Sequence, residues 1–170
     1  YSKKYKHSFI VGNFIVSLLT SLCIFNVFLV SNNNSNKSFI LILIFSMFSF
    51  LLTFAREIIK DLEDIDGDKL MNSQNIASTL NITQSKQIVI GILTLVLFLI
   101  LIGCYHLSNE ISMLRPISIF VYSSLLFVIS LFSVFKVSKS EEKEDYSYIS
   151  SLLKLIMFLG VLSIPIIYYI

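Results

Sequence analysis

Five apolar runs constrain this chain more than any other feature: residues 9–30, 39–57, 88–105, 117–137 and 152–170. Four of them reach or approach the roughly 20 residues a helix needs to cross a bilayer, with almost no charge inside. The second is short as a purely apolar run, Phe39–Phe54, but its helical pattern continues into the polar segment behind it. In lipid every backbone N–H and C=O must be bonded within the protein, and the alternation of a half-buried strand is absent. Helices are the reading that remains. The expectation is an all-α fold, a polytopic membrane helical bundle with five transmembrane helices. Composition agrees: mean hydropathy is +0.82 and 14% of residues are charged, against about 25% in a soluble domain.

Basic residues set the expected orientation. Lys3, Lys4 and Lys6 precede the first span; Arg56, Lys60, Lys69 and Lys86 follow the second; Lys136, Lys139, Lys143 and Lys154 surround the loop after the fourth. With five spans these segments share one side and hold all but Lys37 and Arg115 of the 13 basic residues. The positive-inside rule makes that side cytoplasmic, in an inner or plasma membrane. A net charge of +2 and the lack of a basic helix with interleaved aromatics argue against a nucleic-acid partner. Cys23 and Cys104 sit inside spans and read as small apolar residues, and His7 and His106 as interfacial polar ones. Residue 1 is Tyr and no cleavage site follows "YSKKYKHS". The chain therefore reads as part of a longer protein.

The connection after the second span, about residues 56–87, is the largest polar segment, and it starts as a helix. It carries Glu57, Asp61, Glu63, Asp64, Asp66 and Asp68 in one run. At 100° per residue Asp61, Asp64 and Asp68 fall at about 0°, −60° and −20° around a helix axis, with Glu57 at about −40°. Four carboxylates then share one narrow face. Neighbours ~6 Å apart repel by about 3 kcal/mol at an effective dielectric near 20, so the stripe favours a shared cation. Oxygen ligands with no His or Cys nearby suit Mg²⁺, which binds one or two carboxylates together with phosphate oxygens and water. An EF-hand is excluded, because setting Gly67 at its sixth position puts Leu62 where a carboxylate is required. "DGDKLM" also lacks the Gly and the Ala-Arg pair of a membrane phospho-alcohol transferase.

The run "REIIKDLEDIDGDK" resembles the second aspartate-rich motif, Asp-x-x-Asp-x-x-x-Asp, of the UbiA-type intramembrane prenyltransferases, carried here by Asp61, Asp64 and Asp68. Its lead looks most like the branch containing digeranylgeranylglyceryl phosphate synthase. "YSKKYKHSFIVGNF" is similar to the family's Tyr-Ser-x-x-Leu-Lys segment followed by Gly-Asn, giving Tyr1, Lys6, Gly12 and Asn13, with Tyr5 where Leu is usual. Two departures follow the aspartates, Ala77 and Asn81 standing where the family has Pro and Gly. The resemblance covers nearly all of residues 1–170, but only as the back half of a nine-helix fold. It implies a partial prenyltransferase domain whose other aspartate-rich motif lies in a missing N-terminal half.

What the resemblance implies is a prenyltransferase of lipid biosynthesis that uses Mg²⁺. It would move an isoprenyl group from a prenyl diphosphate donor to a glycerol-phosphate lipid or an aromatic or quinone precursor. Asp61, Asp64 and Asp68 would hold metal, and Lys60, Lys69, Tyr1 and Lys6 would contact the diphosphate. The chain alone, with half the metal site, is expected to be inactive. Two other readings compete: an acidic-mouthed cation transporter or channel, which needs ionisable residues deep in its spans, and a non-catalytic remnant.

Overall fold

The computed structural model describes residues 11–30, 36–65, 81–110 and 116–169. These residues form five helices: α1 Val11–Val30, α2 Asn36–Glu63, α3 Ile82–Glu110, α4 Pro116–Lys139 and α5 Lys143–Tyr169. No strand occurs among the described residues. The stretches Phe39–Glu63, Ile82–Leu107, Ile119–Lys139 and Lys143–Ser163 are long and apolar enough to cross a membrane, and α1 has a shorter apolar stretch, Val11–Val27. The fold is a polytopic helical membrane bundle.

Helix starts follow local chemistry. At the start of α3 the Asn81 N–H donates to Gln84 Oε1 at 3.3 Å, the returning half of a capping box, and the Asn81 carbonyl accepts the first helical bond from Ser85 N–H at 3.0 Å. At α5 the Asp145 carboxylate accepts the backbone N–H groups of Glu141 and Glu142 at 3.1 and 3.3 Å. Pro116 opens α4, at a position whose N–H has no intrahelical partner in any case.

Helices α2, α3, α4 and α5 close a ring in which each packs on the next, and α1 leans on the outside of α2. The ring's seam repeats every three or four residues. Leu52, Ala55, Ile59 and Leu62 line it from α2, Val89, Leu93 and Val96 from α3, and Ile149, Leu153 and Ile156 from α5. Phe98, Val121, Val128, Phe158 and Val161 point outward and are exposed. Lipid is as apolar as these side chains, so burial alone does not hold the ring together; close packing and small residues do. Gly160 of α5 is buried beside Phe48 of α2, and a Cβ there would stand 2.6 Å from the Phe48 ring. Buried Ser133 and Ser163 return their hydroxyls to carbonyls of their own helices at 2.9 and 2.6 Å.

Candidate functional site

The acidic run sits where α2 leaves the bundle. Ile58, Ile59 and Leu62 stay in the core, while Asp61 is half-buried and Lys60 and Asp64 are exposed. The helix ends at Glu63, yet the Asp64 N–H still donates to the Lys60 carbonyl at 3.0 Å. Helical spacing therefore carries through Asp64. Asp68 and Lys69, like Tyr1 and Lys6, lie outside the described residues. Of the sequence-predicted set, Lys60, Asp61 and Asp64 are described, and they share the last turn of α2.

Helix α1 reaches this turn. The Asn13 Nδ2–H donates to Asp61 Oδ2 at 2.7 Å, across 48 residues of chain. A carboxylate only accepts, so this contact sets the amide with its nitrogen toward Asp61. Further along the hairpin the Thr20 and Thr53 hydroxyls are 3.2 Å apart, and the Ser46 hydroxyl donates to the Ser21 carbonyl at 2.9 Å. Phe14 meets Phe50 edge-on, with ring centroids 5.5 Å apart. A polar line, Asn13, Ser17, Thr20 and Ser21, thus faces α2 from a helix whose other side chains, exposed Asn26 apart, are apolar or glycine.

Glu57 belongs to the same face but is already engaged. Its Oε1 lies 2.9 Å from an Arg56 guanidinium nitrogen, and both side chains are half-buried. The Arg56 Nε is buried and has no hydrogen-bond partner among the described residues. At the same end of the bundle, Lys86 of α3 donates to the Ser140 carbonyl between α4 and α5, and its Nζ lies 5.8 Å from the Tyr146 ring centroid. Lys136 lies 5.4 Å from the Tyr148 ring.

Sequence reasoning placed neither the Asn13 contact nor the Lys86 bridge. For Asn13 the available signal was the i, i+4, i+7 line of polar residues on an apolar helix, which marks a face turned to a partner helix. Lys86 offered none, since a lysine in the first turn of a span is ordinary.

Among the described residues no three His, Cys, Asp or Glu side chains converge on one point. Asp61 and Asp64 bring two carboxylates to one helix end, and Mg²⁺ needs no more than one or two when phosphate oxygens and water complete its shell. Sulfur and imidazole sit elsewhere. Cys104 and His106 line an apolar cavity of about 80 Å³ toward the other end of the ring, with Phe48, Tyr122 and Ser163 also in its wall. Cys23 is exposed on α1. The oxygen-only donor set fits a hard cation.

A family model described as the UbiA prenyltransferase family matches residues 1–168. The digeranylgeranylglyceryl phosphate synthase of Saccharolobus solfataricus is 31% identical over 159 residues, covering 94% of this chain and 55% of that protein. The synthases of the same name from Methanosphaera stadtmanae and Methanococcus aeolicus are 30% and 33% identical, over 96% of this chain and 56% and 54% of their own lengths. The chain thus spans about half the length of the curated relatives it matches. No solved structure matches it at a significant level. With a family match running through all five helices, and relatives that agree with it, the chain belongs to the UbiA prenyltransferase family.

Proposed function

We propose that the chain supplies the second carboxylate motif of an intramembrane prenyltransferase. The enzyme would transfer an isoprenyl group from a prenyl diphosphate to a glycerol-phosphate lipid, with an aromatic or quinone precursor as the second choice of acceptor. The observation that carries this reading is the pairing of Asp61 and Asp64 on the last turn of α2, at the end of an apolar bundle, with Asp61 held by Asn13. The name shared by the relatives favours the glycerol-phosphate acceptor. The buried polar side chains of the described residues are all Ser or Thr, so the channel reading lacks the deep ionisable residues it requires.

Asp61, Asp64 and Asp68 would hold Mg²⁺, which when bound supplies positive charge against the diphosphate that leaves as the allylic C–O bond breaks. Lys60 and Lys69, with Tyr1 and Lys6, would contact the diphosphate oxygens. The apolar helices would keep water from the allylic carbon until an acceptor oxygen or aromatic carbon captures it. A front half carrying the opposing aspartate motif would complete the site, and the five helices by themselves would not turn over. The acidic end would face the cytoplasm, in line with the basic residues gathered there.

The test is transfer from a labelled prenyl diphosphate by the full-length protein, as its gene encodes it, in vesicles. A glycerol-phosphate ether lipid and an aromatic acid serve as competing acceptors. Transfer that stops with EDTA and returns with Mg²⁺ is expected, with the ether lipid preferred. Failure to prenylate either acceptor with Mg²⁺ present would overturn the reading.

A further inference from the structure

Asn13 is an amide placed in the first turn of an apolar helix, and the wall of a membrane protein gives it little reason to be there. Its Nδ2–H reaches a carboxylate on another helix at 2.7 Å, and its backbone carbonyl accepts the Ser17 hydroxyl at 2.6 Å. Of the carboxylates on that face, Glu57 is taken by Arg56 and Asp64 is exposed. Asp61 is the one that α1 grips. Holding α1 against α2 does not require this contact, because Thr20 meets Thr53 and Ser46 meets the Ser21 carbonyl on the same hairpin.

We propose that Asn13 is a positioning residue for the metal site: its amide fixes the rotamer of Asp61 so that the carboxylate is already oriented when a divalent cation arrives. This rests on the reading of Asp61 as a metal ligand. A carboxylate has about four lone-pair directions, and the amide uses one, on Oδ2. The amide also places the positive end of a dipole beside the acidic stripe while no cation is bound. Partners of this kind tune metal sites elsewhere, and losing one weakens metal affinity by about 10–100-fold.

The experiment titrates Mn²⁺, followed by electron paramagnetic resonance, into the detergent-purified full-length protein. Wild type is compared with Asn13→Ala, Asp61→Asn and Thr20→Val. The expected result is a roughly tenfold or greater rise in the half-saturating Mn²⁺ concentration for Asn13→Ala, with Thr20→Val at the wild-type value. The Thr20 variant removes a contact of the same hairpin away from Asp61, so a purely structural role for Asn13 would move both. If Asn13→Ala is not recovered folded, Asn13→Ser, whose hydroxyl is too short to span the gap, is titrated instead with the same expectation. Wild-type Mn²⁺ binding in the Asn13 variant alongside a large loss in Asp61→Asn overturns the positioning role alone. Wild-type binding in both overturns the metal reading, and the positioning role falls with it.

Discussion

Asp61 and Asp64 sit three residues apart in different settings, one half-buried against Asn13 and the other exposed. Replacing either with Asn is expected to lower Mg²⁺-dependent transfer by about 100-fold or more, the scale on which removing one preorganised charge stabiliser acts. Glu57→Gln, by contrast, should cost less than about fivefold, because that carboxylate is spent on a partly exposed pair with Arg56 and such pairs are worth up to about 1 kcal/mol. Initial rates at saturating donor check both. The helical spacing of Glu57, Asp61 and Asp64 was readable in the sequence, since its period is that of one helix turn and its members are neighbours along the chain. The partner of Asp61 was not. A contact across 48 residues depends on which helix α1 packs against and in what register; the polar line on α1 marks a facing side without naming its partner.

The helices were legible as apolar runs, but their faces were not, because inward and outward positions are equally apolar. What separates them is size and spacing. The α5 seam passes through Gly160, where a Cβ would meet the Phe48 ring at 2.6 Å. Gly160→Val should therefore destabilise the bundle by about 1–3 kcal/mol, and adding Phe48→Ala should recover part of that loss. Unfolding of the single and double variants in detergent checks the coupling. Helices α3 and α5 begin at Ile82 and Lys143, ahead of the apolar runs that start at 88 and 152, because polar first turns are capped by Gln84 and Asp145 rather than driven by hydropathy. Lys86 ties two of these turns together. Lys86→Met should cost about 1 kcal/mol, from losing a cation at the Ser140 carbonyl and over the Tyr146 ring. A lowered melting temperature with unchanged helical circular dichroism is the expected signature.

Across the whole molecule, the ends of all five helices that gather near Asp61 also gather Lys60, Lys86, Lys136, Lys139 and Lys143. If this end faces the cytoplasm, a single cysteine at Glu141, in a chain with Cys23 and Cys104 replaced by Ser, will react with an impermeant maleimide only after the cells are opened. Labelling on intact cells would invert the topology. The ring of α2 to α5 closes on itself, whereas α1 is attached chiefly through its contact with α2. Its Phe14, Leu18, Leu22 and Leu29 remain exposed. Among the described residues α1 meets the bundle along one side, the side that also carries Asn13. Because that same helix carries the amide that grips Asp61, the acidic end is a joint between two parts of the molecule: the carboxylate comes from a helix of the ring, and the group that orients it from the helix lying against that ring.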